Sequence, residues 1–165
     1  DDDKLREQCG LFGIFGHDDA APHTTLGLHA LQHRGQEAAG IVTSDTVQFN
    51  THRALGQVGD NFTSQAVMSK LHGRMAIGHV RYSTTGGTIL RNVQPLYADF
   101  EFGGFAVGHN GNLTNAFQLR TELVKRGSLF QSTTDTEVIV HLMAAARGGV
   151  EDRLVAALRQ VEGAY

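Results

Sequence analysis

Several features are scarce in this chain of 165 residues, and each scarcity excludes a class of protein. There is one cysteine, so neither an internal disulfide framework nor a zinc site built from cysteines can form within the chain. Apolar runs are short and interrupted by glycine, which predicts no transmembrane helix. The acidic first residues do not predict a secretory signal, and no basic tract favours nucleic acid. We therefore expect a cytoplasmic protein without a membrane or nucleic-acid partner.

Length and composition predict a single folded domain. A chain of 165 residues lies in the usual size range of one domain, and 41% hydrophobic with 19% charged residues is typical of a globular protein. Glycine is unusually frequent, with 20 residues against two prolines. The glycines stand at the ends of short apolar runs, where turns and close backbone contacts require them.

The spacing of apolar residues predicts strands first and helices later. Strands are predicted over residues 9–15 and 75–82, with two hairpins over residues 38–54 and 96–110. Helices are predicted over residues 22–32, 64–71, 113–126, 135–147 and 151–161. This order favours an α+β fold with antiparallel sheets over a doubly wound parallel sheet.

Turn and capping residues predict where some of these elements begin and end. The second hairpin is predicted to turn at residues 103–104. Asn112 is the expected N-cap of the third helix, and Thr133 or Thr134 that of the fourth. Residues 163–165 resemble the start of another strand, so we expect the natural protein to continue beyond them.

Cys9 opens the first predicted strand and is followed directly by Gly10. The glycine leaves space around the thiol, which a purely structural cysteine would not need. A single free cysteine is nevertheless most often a small buried apolar residue. This segment alone therefore leaves a nucleophile and a structural thiol as alternatives.

Two arginines stand where their charge needs an explanation. Arg34, followed by Gly35, lies at a junction between a helix and a strand, where positive charge and glycine ordinarily end a helix. Arg81 lies inside an apolar strand, where an arginine is costly unless it is paired. Its partner could be a protein carboxylate or the carboxylate of a ligand. The hydroxyl-rich run that follows, including Thr84, is also compatible with a plain loop.

Asn110, Gly111 and Asp135 complete the set of unusual polar residues. Asn-Gly after a strand is first a turn signal, but an asparagine amide beside a glycine N–H also suits an oxyanion. Asp135 at a helix start is most simply a capping residue. Considered together, the motifs supply a thiol, acceptors for an α-carboxylate and an α-ammonium, and an oxyanion site. Those are the groups needed to attack the side-chain amide of an amino acid.

These motifs, in this order, resemble the glutaminase domain of N-terminal-nucleophile (class II) amidotransferases. The resemblance runs from Cys9 to the last residue. It implies a four-layer αββα sandwich of antiparallel sheets between helices, here truncated at its C-terminus. It also divides the chain into a leader, residues 1–8, and an incomplete class II glutamine amidotransferase domain, residues 9–165, with the acceptor domain absent.

The resemblance also assigns a role to each candidate site residue. It implies that Cys9 is the nucleophile, with its own α-amino group as base, and that Asn110 and Gly111 form the oxyanion hole.

For substrate binding, the resemblance implies that Arg81 binds the α-carboxylate of glutamine and Asp135 its α-ammonium. Arg34 and Gly35 would order the pocket wall, and Gly35 and Thr84 would line it.

Within the family, residues 31–36 and 80–84 are most similar to the branch that converts phosphoribosyl pyrophosphate to 5-phosphoribosylamine. That reaction is the first committed step of purine synthesis, and the full-length protein would be a glycosyltransferase. His33, Tyr82 and the lack of tryptophan differ from the sugar-phosphate branch. The alternatives are a glucosamine-6-phosphate synthase-like enzyme and a catalytically silent module with a buried Cys9.

The same resemblance implies the partners of the protein. They are glutamine and, through the missing domain, phosphoribosyl pyrophosphate, in a homo-oligomer when the protein is full length. We expect no metal or other cofactor in this chain. The full-length enzyme would need Mg²⁺, and one branch carries a 4Fe–4S cluster on cysteines outside this chain.

Residues 1–8 precede the expected nucleophile. While the peptide bond between Gln8 and Cys9 is intact, Cys9 has an amide in place of a basic amine, so we predict that this form is inactive toward glutamine. Leaders of this kind are removed by self-processing in one branch of the family. The alternative is a tail left by protein expression, since residues 1–4 resemble the end of a tag-cleavage site.

Overall fold

The structure, a computed structural model, describes residues 9–82 and 89–165. The predicted leader and Thr84 lie outside the described residues. The chain divides into two compact units, the first ending at Pro95 and the second running from Leu96 to Tyr165. Across the described ranges, no helix has both the length and the hydropathy needed to cross a membrane.

The first unit is built on a four-stranded antiparallel sheet. Across the sheet the strands are residues 10–15 (β1), 75–81 (β4), 38–44 (β2) and 49–55 (β3), in that order. Strand β2 is one of the two inner strands, and all seven of its residues are buried. The elements are β1 (Gly10–Phe15), α1 (Ala20–Ala30), β2 (Ala38–Ser44), β3 (Phe49–Leu55), α2 (Val58–Asn61), α3 (Gln65–Met68) and β4 (Met75–Arg81), with short 3₁₀ helices at Gln32–Arg34 and Leu90–Asn92.

Helix α1 packs closely on the sheet because β4 has a glycine at the contact. A Cβ atom added to Gly78 would lie 2.6 Å from Cγ2 of Thr24 and 2.8 Å from Cδ1 of Leu28. Leu28 is fully buried in the core of this unit, together with Ile41 and Val80. The missing side chain at residue 78 therefore brings the helix against the strand that ends at Arg81.

The second unit combines a hairpin, three helices and a short strand pair. Its three helices share a core that includes Leu123, Val138 and Met143. The elements are β5 (Leu96–Phe100), β6 (Gly103–Val107), β7 (Asn112–Leu113), α4 (Ala116–Lys125), α5 (Thr136–Ala145), α6 (Val150–Leu158) and β8 (Gly163–Ala164). Strand β7 pairs antiparallel with β8.

The structure confirms the predicted strands, the first hairpin and the later helices, with differences in their bounds. The second hairpin turns at residues 101–102, and Gly103 begins β6 with a φ of +116°. The predicted turn at residues 103–104 was therefore wrong by two residues. The helix predicted over residues 64–71 is shorter, with α3 reduced to four residues.

Both predicted N-caps in the second unit were also wrong. Asn112 lies in β7, where it pairs with Ala164, so α4 begins only at Ala116. Asp135, and neither Thr133 nor Thr134, caps α5, since its carboxylate accepts from the N–H of the next residue. Long-range strand pairing decided the first case, and a stronger acceptor decided the second.

Substitution of Leu28 by alanine should destabilise the chain by about 2–5 kcal/mol, because it leaves a cavity between α1 and the sheet. Leu26 on the same helix is 67% exposed and provides the control, so L26A should change the stability by less than about 0.5 kcal/mol. Urea unfolding followed by circular dichroism measures both. Equal losses in the two variants would contradict this packing.

Candidate active site

Cys9 lies immediately before β1, next to the last residues of β4. Its thiol is half-buried; the Sγ atom lies 3.6 Å from the carbonyl oxygen of Tyr82, to which it donates, and 3.4 Å from the backbone nitrogen of Tyr82, from which it accepts. Gly10 pairs with Val80 in the register of the two strands. The pairing therefore fixes the thiol beside the peptide that follows Arg81.

Arg34 forms a hydrogen bond to the backbone of Cys9. The 3₁₀ helix Gln32–Arg34 follows α1 and directs the guanidinium so that Nε donates to the carbonyl oxygen of Cys9 at 3.2 Å. Charge-assisted hydrogen bonds of this kind are stronger than neutral ones. Arg34 therefore orients the main chain at the expected nucleophile.

A glycine is required at residue 35 because there is no room for a side chain. Its backbone conformation is not the reason, since a φ of −168° is available to any residue. A Cβ atom there would lie 2.6 Å from the carbonyl carbon of Arg81 and 2.7 Å from its oxygen. The Gln32 side chain holds this close approach: Nε2 donates to the Gly35 oxygen at 2.5 Å, and Oε1 accepts from the Val58 N–H at 2.7 Å. The residues after α1 are thus tied to β4 and α2.

Arg81, the last residue of β4, is half-buried and incompletely hydrogen-bonded. Its Nη1 donates to the carbonyl oxygen of Asn92 at 3.2 Å, and its own oxygen accepts from the Glu37 N–H at 3.3 Å. Its Nε is buried without a hydrogen-bond partner among residues 9–82 and 89–165, and no carboxylate within that part of the chain pairs with it. A ligand carboxylate would remove the cost of that unpaired donor.

In the second unit, Asn110 and Gly111 lie in the connection between β6 and β7, residues 108–111. A Cβ atom on Gly111 would lie 2.1 Å from the carbonyl oxygen of Ala164, so only glycine fits. The preceding His109 is buried, with its ring nitrogens 2.9 Å from the Ala164 oxygen and 3.3 Å from Oγ1 of Thr136. The segment is therefore held on both sides, while the Asn110 side chain is exposed.

Asp135 joins the start of α5 to that same connection. Its Oδ1 accepts from the Thr136 N–H and its Oδ2 from the Leu113 N–H, both at 2.9 Å. Asp135 therefore is the capping residue that its position suggested. An ionised carboxylate has about four acceptor positions, so these bonds leave capacity for an ammonium group.

The structure brings together the sequence-predicted residues within each unit. Cys9, Arg34, Gly35 and Arg81 are contiguous in the first unit. In the second unit, Asp135 binds the N–H of Leu113, two residues after Gly111. Thr84 lies outside the described residues.

Three contributions were missed from the sequence: the Gln32 amide, the Tyr82 main chain and the His109 ring. Gln32 and His109 adjoin the recognised motifs, and that adjacency was the available signal. The contact of the Tyr82 main chain with the thiol depends on strand register. It requires no particular side chain at this position, so the sequence gives no sign of it.

The carboxyl group of Glu137, in the first turn of α5, has a lowered pKa. Burial by itself would raise the pKa of this carboxyl group, but hydrogen bonds from Gln131 and Ser132 outweigh that effect and lower the pKa below its ordinary value. One turn later, burial lowers the pKa of His141, and the neighbouring Glu137 carboxylate offsets part of that shift. The folded chain therefore favours an ionised Glu137.

The chain is similar to known proteins over most of its length. A family described as "Glutamine amidotransferase domain" matches residues 72–165. An amidophosphoribosyltransferase of Rhizobium etli is 54% identical over the whole chain, which spans 34% of that protein. One from Lacticaseibacillus casei is 48% identical over 98% of the chain, which spans 84% of that protein.

A solved structure extends the comparison to the fold. It is that of glutamine phosphoribosylpyrophosphate amidotransferase from B. subtilis, complexed with ADP and GMP. It is similar over 93% of this chain and 33% of its own, with 42% identity and a TM-score of 0.85. The predicted fold class, α+β of the N-terminal-nucleophile type with antiparallel sheets, is confirmed.

The family match and the fold together define a glutamine amidotransferase domain. The chain belongs to the amidophosphoribosyltransferase family. It spans about a third of the length of most of the relatives named above.

Replacing Gly35 by alanine should destabilise the chain by about 1–3 kcal/mol, because the added methyl overlaps the Arg81 main chain. The control is G59A, since a Cβ at Gly59 in α2 meets nothing within 4 Å. That variant should be neutral or slightly more stable. Denaturant unfolding measures both, and a G35A protein as stable as G59A would contradict the close packing.

The lowered pKa of Glu137 predicts a pH-dependent stability. Above the ordinary value of 4.5 the ionised carboxylate contributes fully, and the contribution is lost as the pH falls through the lower pKa of the folded chain. Near neutral pH the free energy of unfolding of E137Q should be about 1–3 kcal/mol below that of the wild type. The reason is that one oxygen acceptor becomes an N–H donor facing other donors. Urea unfolding at decreasing pH should show that this difference in stability between the wild type and E137Q becomes smaller. A gap independent of pH would contradict the assignment.

Proposed function

We propose that this chain hydrolyses glutamine with Cys9 as nucleophile, and that the ammonia serves to convert phosphoribosyl pyrophosphate to 5-phosphoribosylamine. Two observations carry the proposal. The thiol lies against the backbone of Tyr82, the residue after Arg81. The buried Nε of Arg81 has no hydrogen-bond partner in the described ranges. A nucleophile at the end of the strand that carries an unsatisfied carboxylate-binding donor suits an amino-acid substrate. Family membership supports the same activity.

The chemistry at Cys9 needs a base, and we assign that role to the α-amino group of a terminal cysteine. Such amines have an ordinary pKa of about 7.7–8.0, close to the working pH. The amine takes the thiol proton, and the thiolate attacks the amide carbon of glutamine. Ammonia leaves with that proton, and water then hydrolyses the glutamyl thioester to glutamate. With Gln8 still attached, this base is missing.

Residues in both units are assigned to binding of the charged groups of glutamine. In the first unit, Arg81 receives the α-carboxylate of glutamine. Arg34, bound to the Cys9 carbonyl, and Gly35, packed on the Arg81 main chain, order the pocket wall, which Gly35 also lines. Thr84 stays a predicted lining residue. In the second unit, Asp135 has acceptor capacity for the α-ammonium.

The oxyanion assignment rests on the turn between β6 and β7. The exposed Asn110 side chain and the Gly111 N–H are the proposed donors to the developing negative charge. The anchoring of this turn through His109 and Ala164 keeps such donors preorganised, as efficient charge stabilisation requires.

The acceptor reaction belongs to the whole protein and is proposed from the relatives. Those named above are amidophosphoribosyltransferases, and the B. subtilis enzyme is named for glutamine and phosphoribosylpyrophosphate. The placement in purine synthesis follows from that reaction. The homo-oligomer, the cytoplasmic location, and the Mg²⁺ and cluster expected outside this chain stay predictions.

Glutamate release from glutamine tests the proposal. Three proteins are compared: one starting at Cys9, one starting at Asp1 with its mass verified, and C9A starting at residue 9. We expect activity only in the first, because the second lacks a free amine and the third lacks the thiol. An inactive Cys9 protein would overturn the glutaminase assignment, and an active protein starting at Asp1 would refute the masking by the leader.

The acceptor is tested separately in the full-length protein. Glutamine consumption should require phosphoribosyl pyrophosphate and give phosphoribosylamine. Use of fructose 6-phosphate in its place would support the glucosamine-6-phosphate alternative.

A further inference from the structure

Glu137 is a buried carboxylate that the proposed chemistry does not use. Its side chain points back toward the residues in front of α5, where Oε1 accepts from the Gln131 N–H at 2.7 Å. Oε2 accepts from the N–H of Ser132 at 2.7 Å and from its hydroxyl at 2.6 Å. A buried acidic residue with three donors is an arrangement that only an ionised carboxylate satisfies fully.

The same residues are held from the other side by α4. The Arg120 guanidinium stacks over the Phe130 ring, 4.0 Å from its centre, and donates to the carbonyl oxygen of Ser132. Thr134 completes the arrangement, since its N–H and its hydroxyl lie 3.2 and 2.9 Å from Oγ of Ser132. Ser132 is therefore held by Glu137, Arg120 and Thr134, and Glu137 is the acceptor for both Gln131 and Ser132.

Asp135 follows these residues directly. Its carboxylate binds the N–H groups of Leu113 and Thr136, but the path of its main chain is set on one side by residues 131–134 and on the other by α5. Loss of an acceptor at Glu137 would release the preceding residues and change where the Asp135 carboxylate points.

We propose that Glu137 is a positioning residue that aligns Asp135 for the α-ammonium group of the substrate. The inference rests on the proposed function. It predicts that Glu137 governs the discrimination between ligands with and without an α-amino group, although Glu137 itself does not touch the substrate.

The discriminating pair of ligands is L-glutamate and glutarate, which differ only in the α-ammonium. Each is measured as a competitive inhibitor of glutamine hydrolysis by the protein with a free Cys9. The wild type should bind glutamate more tightly than glutarate. In E137Q that preference should fall roughly tenfold, equivalent to one charge-assisted hydrogen bond. Most of the change should lie in glutamate affinity, with glutarate binding nearly unchanged.

The matched control is E122Q on α4. Glu122 is exposed, and its carboxylate contacts the Gln118 amide at 3.4 Å. This variant should keep the wild-type preference. A second comparison uses D135N, in which adding E137Q should change the preference no further.

An equal weakening of both ligands by E137Q would show a general structural role and overturn the proposal, as would an unchanged preference or a wild type that does not prefer glutamate. If E137Q does not fold, E137D replaces it, since it keeps the charge but shortens the reach, and the same loss of preference is expected. A wild type that fails to hydrolyse glutamine would refute the proposed function. A functional wild type with an unaltered preference in the variant refutes only this inference.

Discussion

The antiparallel pairing of β1 with β4 is the interaction on which the candidate site of the first unit depends. It places the last residue of β4, Arg81, and the following peptide against Cys9. Because side chains alternate along a strand, a shift of one residue in this register would turn the whole strand over. The core contacts of α1 and the missing side chain at Gly78 oppose such a shift.

Backbone hydrogen bonds to charged side chains organise both units. Arg34 orients the carbonyl group of Cys9, and Asp135 binds the N–H groups of Leu113 and Thr136. Glu137 extends the pattern to the residues in front of α5. Charge-assisted hydrogen bonds are roughly twice as strong as neutral ones, so a few such residues can position irregular backbone. Glycines allow the close approaches that this arrangement requires, as at Gly35 against Arg81.

Local patterns in the sequence predicted the strands and most helices, because alternation and helical spacing reflect which face is buried. The errors arose where distant segments decide the structure. Asn112 pairs with Ala164 and is therefore a strand residue, although its local context favoured a helix cap. The roles of Gln32 and the Tyr82 peptide depend on tertiary contacts that no local pattern records. The polar motifs were easier to recognise because buried or clustered polar residues need a physical reason.

The central claim is that Cys9 is a nucleophile in a pocket for glutamine. The most direct measurement is the covalent labelling of protein beginning at Cys9 with an electrophilic glutamine analogue, followed by peptide mass spectrometry. We predict one label per chain, located on Cys9, and protection by glutamine but not by a neutral amide without amino-acid groups. A thiol that remains unlabelled, or a label that glutamine does not prevent, would contradict it.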